Sequence, residues 1–204
     1  SCYGFTDFDL AVHAQSTWNI LHGSADSSIL GVPFLGNHMA LILFLIAPLF
    51  AVYPSPLLLL YLQTAVLATG AAGIYLLAKK ELSGKWATPL AIIYLMYPPL
   101  IYMNLYEFHP VALASSFLIF MMYFYKMERF REFLILMILA LLCQENISLV
   151  IIAFAIYSFI EGKRNRWVWA PLATGACYFV LVILFLMPRL NNNTIQFLQL
   201  YARF

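Results

Sequence analysis

The stretch "LLLLYLQTAVLATGAAGIYLLA", residues 57–78, contains no charged side chain. An α-helix needs about 20 consecutive apolar residues to cross a bilayer, so this stretch predicts a membrane-spanning helix. The rest of the chain agrees, because 64% of its 204 residues are hydrophobic and only 10% are charged. Soluble domains carry about 25% charged residues. The predicted fold class is therefore all-α, a multi-pass integral membrane protein.

The more polar N-terminal segment, residues 1–37, is predicted to be an outer loop that contains an amphipathic helix. Thr6 and Asp9 have the spacing of a capping box at the start of this helix, and Gly23 fits the residue after its end. Such a helix is expected to lie in the plane of the membrane interface. Its apolar stripe consists of Leu10, Ala14, Trp18 and Leu21, and its polar stripe of Asp9, His13 and Ser16.

The remaining chain divides into a short apolar segment, a series of membrane helices and a final polar segment. Residues 38–53 are too short for a span and contain Pro48, so they predict a re-entrant or juxtamembrane helix. Residues 188–204 predict an outer amphipathic segment. The membrane helices are predicted at residues 57–78, 86–103, 110–125, 133–143, 147–160 and 167–187.

The basic residues predict the orientation of these helices. Nine of the eleven lysines and arginines lie in three loops, at residues 79–85, 126–131 and 163–166. The positive-inside rule puts all three loops in the cytoplasm. This requires residues 133–160 to form a hairpin with residues 144–146 near its tip, whereas a single straight helix would put the third loop outside. We therefore expect a protein of the cytoplasmic (inner) membrane whose acids and histidines face outward.

Each candidate residue on this outer face has a structural explanation beside a functional one. Asp9 fits a helix cap, which favours acids, and His13 fits a solvated polar face. His38 fits the start of an apolar helix. The Tyr- and Pro-rich turn around Glu107 and His109 fits an aromatic belt at the membrane surface.

Glu145 has the strongest case for a function. A carboxylate between two apolar arms is costly in a bilayer, so a functional role is the default expectation, against a simple hairpin tip in the headgroups. Asp and Glu can act as general bases when burial raises their pKa. Asp, Glu and His also ligate divalent cations, the only cofactor that the sequence suggests. The candidate ligands are Asp9, His13, His109 and Glu145.

Other chemistries have no support in the sequence. It contains no His-Glu-x-x-His, no Walker loop, no Gly-x-Ser-x-Gly and no Cys-x-x-Cys. Nucleic acid is not expected as a partner, because topology explains the basic residues in the short juxtamembrane loops.

Four blocks of the sequence resemble a family of predicted prokaryotic membrane proteins, domain of unknown function 2079. In chain order the blocks are "FDLAVHAQSTWNILHG", "NHMALILFLIAPLFAVYPSPLLLLYLQT", "YPPLIYMNLYEFHPVALA" and "CQENISLVI". The chain departs from the family at Ala11, where glycine is usual, and at Gln144, where a Lys-Glu-Asp-like triplet commonly begins. Because family members are usually longer and this chain begins with Ser1, we expect it to be truncated at both ends.

The family in turn resembles the C-type glycosyltransferase superfamily. The resemblance implies an inverting, multi-pass enzyme with an outer site, whose substrate is a sugar on a polyprenyl phosphate in the membrane lipid. An acidic residue of the first outer loop serves as catalytic base in those enzymes, and Asp9 matches this position best, with Asp7 second. His38 lies where related enzymes have a His/Lys-Pro-Pro-like motif. Substrate binding is expected to involve His38, Glu107, His109, Glu145 and Arg189.

Two other functions are consistent with the same residues. A transporter or flippase of a lipid-linked or small polar substrate would use broken helices and a carboxylate such as Glu145. A non-catalytic subunit of a larger membrane complex would use the outer polar residues to contact other membrane proteins. A convergence of Asp9, His38, Glu107, His109 and Glu145 on one cavity would favour the transferase.

Overall fold

The structure is a computed structural model that describes residues 8–82, 84–163 and 165–191. Within these residues it confirms an all-α fold, with a single pair of two-residue strands. The elements are α1 Phe8–Leu21, β1 Asp26–Ser27, β2 Val32–Pro33, α2 Phe34–Asn37, α3 Ile42–Val52, α4 Pro56–Glu81, α5 Ala87–Leu95, α6 Pro98–Tyr106, α7 Pro110–Lys126, α8 Phe130–Leu141, α9 Ile147–Ile160, α10 Arg166–Val180 and α11 Met187–Leu190. A 3₁₀ turn, Gly84–Trp86, precedes α5, and a π-helical turn, Leu181–Leu186, joins α10 to α11.

Two continuous helices are long and apolar enough to cross a membrane. They are α4 and the combined helix Arg166–Leu190. The segments Gly84–Leu95 and Pro98–Tyr106 would form a third span if they cross together, although they meet at a bend of 41°. The bend follows from Pro98, because proline disfavours helical backbone at the residue before it, and Tyr97 is extended here. Helices α3, α7 and α9 are apolar but shorter.

Two of the three residues in the polar stripe of α1 lie inside the protein instead of on its surface. His13 and Ser16 are buried, whereas Trp18 is 47% exposed and Leu21 is also exposed. The Ser16 hydroxyl donates to the carbonyl oxygen of Val12 at 2.7 Å, so this buried hydroxyl has a hydrogen-bond partner. The expectation of a solvated His13 is therefore wrong, because the inner side of α1 faces polar groups from other segments. Thr6, the first residue of the expected capping box, lies outside the described residues.

The chain doubles back between α8 and α9. The ring of Phe133, near the start of α8, lies 5.5 Å from the ring of Phe154, in the second half of α9. Both pack near Tyr125 at the end of α7 and Trp167 at the start of α10. The connection at residues 142–146 therefore lies at the opposite end of the bundle from these aromatic rings.

We call the end around Tyr125 the basic end. Lys126 forms ion pairs with Glu161, after α9, and with Glu81, at the end of α4. Lys163 pairs in the same region with Glu128. The ends of four helices and their lysines therefore meet there, while the starts of α1 and α7 and the connection at residues 142–146 lie at the other end.

Small residues let α4 approach its neighbours closely. Gly70 of α4 lies under the side chain of Tyr94, whose hydroxyl donates to the carbonyl oxygen of Leu67 at 3.1 Å. The hydroxyl of Ser116 in α7 donates to the carbonyl oxygen of Val66 at 2.7 Å. Such close contacts are typical of helix packing in membranes.

Gly70→Ala should destabilise the bundle. A Cβ atom at this position would lie 2.2 Å from the Tyr94 hydroxyl oxygen, so the ring must move and lose its hydrogen bond to Leu67. We expect a loss of about 1–3 kcal/mol, seen as a lower midpoint of thermal unfolding in detergent. Gly84→Ala is the control, because nothing lies within 4 Å of its Cβ position. Equal midpoints for the two variants would show that Gly70 is not a packing constraint.

Candidate functional site

A cavity of about 140 Å³ lies at the end of the bundle opposite the basic end. It is formed by α1, the connection from α2 to α3, the start of α7 and the connection from α8 to α9. Its lining residues are Asp9, Val12, His13, Asn37, His38, Ala40, His109, Pro110, Val111, Cys143 and Gln144. Four segments that are far apart in the sequence thus converge on one polar space.

Asp9 and His109 form a pair at the edge of this cavity. His109 Nε2 lies 3.1 Å from Asp9 Oδ2, which fits a hydrogen bond donated by the imidazole. His109 Nδ1 lies 3.4 Å from the carbonyl oxygen of Glu107, so a second proton on the ring would also face an acceptor. The Asp9 side chain is 41% exposed, and its other oxygen accepts no hydrogen bond from a described residue. This carboxylate is therefore oriented by His109 and still open to a ligand.

Glu107 fixes the helix that carries Asp9. Its side chain is only 1% exposed, and Oε2 accepts a hydrogen bond of 2.9 Å from the backbone N–H of Leu10. Leu10 lies in the first turn of α1, where backbone N–H groups have no partner within the helix and the helix dipole favours negative charge. Glu107 therefore anchors the start of α1 and does not line the cavity.

Gln63, in the first third of α4, positions the turn that contains Glu107 and His109. Its amide nitrogen donates to the carbonyl oxygen of Glu107 at 3.0 Å, and its amide oxygen accepts from the backbone N–H of His109 at 2.9 Å. The side chain is fully buried. Gln63 was not among the residues predicted for the site, although an amide that interrupts the apolar run of residues 57–78 was a usable signal.

Glu145 holds the connection between α2 and α3. Its side chain is 3% exposed, Oε1 accepts a hydrogen bond of 3.0 Å from His38 Nδ1, and Oε2 accepts one of 2.9 Å from the backbone N–H of Met39. Burial opposes ionisation of Glu145, but the hydrogen bonds from His38 and Met39 outweigh it and hold the pKa of Glu145 below its usual range. Glu145 lies behind His38 and is not itself a lining residue.

His13 lines the cavity without a hydrogen bond to any described residue. It is 8% exposed, its Nδ1 atom is buried without a partner, and its ring packs edge-on against Phe108. Burial, together with the nearby His109 and His38, lowers the pKa of His13 to about 3, and Glu107 offsets only part of this shift. The imidazole is therefore neutral at physiological pH.

Three further polar residues lie apart from the cavity. His22, the residue after α1, is exposed and packs against Trp18, and Asp26 is exposed in β1. Arg189 is exposed on α11, one residue before Leu190, which packs on Gly36 of α2. Asp7, the second candidate for the catalytic base, lies outside the described residues.

The described residues bring no three His, Cys, Asp or Glu side chains together in a group that could hold a metal ion. The candidates Asp9, His13, His109 and Glu145 instead form two separate acid–histidine pairs, one with His38, and one unpaired imidazole. A larger groove of about 460 Å³ along α4, α5 and α7 is almost wholly apolar and lies near Glu81 and Lys126, far from these pairs.

Comparison with known proteins gives the family of the chain. A family model described as predicted membrane protein (DUF2079) matches residues 3–204. The chain belongs to this family. Neither the curated proteins nor the solved structures gave a match. The family identification expected from the four sequence blocks is thus confirmed, and with it a membrane protein, while the further resemblance to C-type glycosyltransferases stays a prediction.

Glu145→Gln should change how stability depends on pH. The pKa of Glu145 is lower in the folded than in the unfolded protein, so its ionised form stabilises the fold above pH 4.5 and that contribution is lost as the pH falls through the lowered folded value. The variant should lose about 1–3 kcal/mol at pH 7 and show a smaller further loss on acidification. Thermal unfolding between about pH 7 and pH 3 measures both effects. Glu81→Gln at the basic end is the control, and identical pH profiles for Glu145→Gln and the wild type would contradict the role of Glu145.

Gln63→Leu should disturb His109 without touching the cavity directly. The substitution leaves the buried N–H of His109 and the carbonyl oxygen of Glu107 without these partners, which costs about 1–3 kcal/mol. The imidazole signals of His109 in a ¹⁵N NMR spectrum should shift, while those of His22 should not. Thr69→Val removes a hydroxyl bonded within its own helix and is the control. Unchanged His109 signals in Gln63→Leu would contradict the positioning role.

Proposed function

We propose that the protein is a membrane glycosyltransferase of the inverting type, which transfers a sugar from a polyprenyl-phosphate donor to a hydroxyl acceptor at the outer face of the membrane. The observation that carries this proposal is the pair of Asp9 and His109 at a polar cavity, with one Asp9 oxygen oriented by the imidazole at 3.1 Å and the other without a hydrogen bond from any described residue. This arrangement suits a general base.

The reaction needs one base and no covalent enzyme intermediate. Asp9 takes the proton of the acceptor hydroxyl as its oxygen attacks the anomeric carbon of the donor sugar. The bond between that carbon and the phosphate oxygen breaks, and the polyprenyl phosphate leaves with the electron pair. His109 holds the Asp9 carboxylate in place through a hydrogen bond to Oδ2, and the same hydrogen bond stabilises the protonated Asp9 that results. Attack on the face opposite the leaving group inverts the anomeric configuration.

The neighbouring residues support a donor that arrives from the lipid. His38 lines the cavity with its ring fixed by Glu145, and as an imidazolium it can donate from Nε2 to a phosphate oxygen. Arg189 is exposed beside the contact between α11 and α2, and α2 ends next to His38. A guanidinium group suits phosphate geometry. We assign the phosphate of the donor to this side of the cavity.

The location at the outer face is part of the proposal. The cavity lies at the opposite end from the basic end, and the positive-inside rule puts the basic end in the cytoplasm. Nucleotide sugars are made in the cytoplasm, so an outward-facing transferase needs a donor that crosses the membrane with its lipid. A polyprenyl-phosphate sugar meets that requirement.

The transporter hypothesis receives less support from the site. A proton-coupled transporter would need Glu145 to exchange protons, but this carboxylate is buried and accepts hydrogen bonds from both His38 and the backbone of Met39. The hypothesis of a non-catalytic subunit gives no reason for the open Asp9 oxygen beside a cavity.

Asp9→Asn in the full-length protein tests the transferase proposal. The probes are undecaprenyl-phosphate-linked hexoses and pentoses, and the measurement is the release of undecaprenyl phosphate in membranes. The amide cannot accept the proton, so we expect the rate to fall by about 10²–10⁴-fold. Asp26→Asn removes an exposed acid outside the cavity and should keep the wild-type rate. Near-normal transfer by Asp9→Asn would exclude it as the base, and no release by the wild type from any donor would exclude the transferase.

A further inference from the structure

We propose that His13 is the recognition residue of the cavity, where its neutral imidazole hydrogen-bonds a hydroxyl of an uncharged, polyol-type group. This inference rests on the proposed function, because the group would be the sugar portion of a substrate. It adds a residue that contributes specificity. It also separates the sugar-binding part of the cavity, at His13, from the phosphate-binding side, at His38. Three observations support it.

The first observation is that His13 is buried without a partner. Buried polar groups in proteins are almost always hydrogen-bonded, and an apolar side chain of similar size would fill this position at lower cost. His13 instead lines the cavity, and its buried Nδ1 atom has no hydrogen-bond partner among the described residues. A residue with this placement is explained by a hydrogen bond to a ligand.

The second observation is the position of His13 relative to Asp9. The two residues are four apart on α1, so their side chains project from the same face of the helix about one turn apart. Both line the cavity. A hydroxyl activated by Asp9 therefore leaves a neighbouring hydroxyl of the same molecule within reach of His13. A ring with several hydroxyls matches this spacing better than an isolated alcohol.

The third observation is the charge of the cavity. His109 is paired with Asp9 and His38 with Glu145, and burial keeps His13 neutral. No lysine or arginine is among the lining residues that the structure describes. A phosphate beside His13 would therefore meet no unpaired positive charge, whereas a neutral imidazole offers one donor and one acceptor, which a hydroxyl complements. The cavity volume of about 140 Å³ also suits a single small group and not a whole lipid-linked donor.

The test observes His13 directly, without relying on catalysis. The chain has four histidines, so ¹⁵N-histidine labelling of the full chain in nanodiscs gives few imidazole signals, and His13→Leu identifies those of His13. The probes are methyl glycosides of glucose, mannose, galactose and arabinose, with sodium phosphate as the competing chemistry. We expect at least one glycoside to shift the His13 signals and phosphate to leave them unchanged. The exposed His22 should respond to neither.

Two variants separate recognition from a structural role. His13→Leu should keep or raise the midpoint of thermal unfolding, because it removes an unsatisfied buried group, but should raise KM for the transferred substrate about tenfold with little change in kcat. His13→Gln keeps a donor and an acceptor and should recover part of the affinity. His22→Leu, directly after the same helix, should leave KM unchanged.

The outcomes distinguish this inference from the proposed function. If a glycoside shifts the His13 signals but the protein transfers no sugar, the assignment of His13 as a recognition residue stands and the transferase is excluded. If His13→Leu and the wild type transfer sugar with the same KM, the transferase proposal stands and the recognition role of His13 is overturned. A His13 response to phosphate, no response to any glycoside, or a large loss of thermal stability in His13→Leu would also overturn it.

Discussion

The site depends on two buried carboxyl groups that bind backbone N–H groups of distant segments. Burying a carboxyl group is costly unless hydrogen bonds replace its hydration. Glu107 accepts from Leu10 in α1, and Glu145 accepts from Met39 between α2 and α3. Each bond joins residues about 100 positions apart in the sequence, so each requires one arrangement of the bundle end. The cavity is the space that these two attachments leave between them.

The acids of this end divide into two kinds because their environments differ. Glu107 and Glu145 are enclosed and their hydrogen bonds lie within the protein, which makes them positioning residues. Asp9 is partly exposed, and His109 occupies only one of its oxygens. A base must reach its substrate, so Asp9 is the acid that can act on a ligand. Gln63 completes the arrangement, since it holds the backbone on both sides of Phe108 from within α4.

Much of the fold was predictable because membrane solubility imposes simple rules on composition. The long apolar run of residues 57–78 gave the helical class and the helix α4, whereas the helix predicted at residues 86–103 is divided before Pro98 into α5 and α6. The sequence also named the acid and the three histidines that line the cavity, because acids and histidines are rare in such a chain. It could not reveal that His13 points inward, since a helical stripe identifies residues that share a face but not the side that is buried.

The same limit explains why Gln63 was missed. In the sequence, Gln63 is a single amide in an otherwise apolar helix, and no neighbouring residue marks it as important. Its role depends on hydrogen-bond partners about 40 residues away along the chain. Hydrogen bonds of this kind depend on the three-dimensional approach of α4 to the turn before α7. No local pattern encodes that approach.

Helix α1 couples the chemistry of the site to the folding of the bundle end. An isolated helix of about 14 residues is marginal in water, so α1 depends on contacts with the rest of the protein. One such contact is the bond from Leu10 to Glu107, and the next residue toward the N-terminus is Asp9, which meets His109. Glu107 and His109 lie on the same turn and are both held by Gln63. The attachment that secures the helix therefore also sets the distance between the acid and the imidazole, so the proposed base cannot be assembled unless α1 is docked.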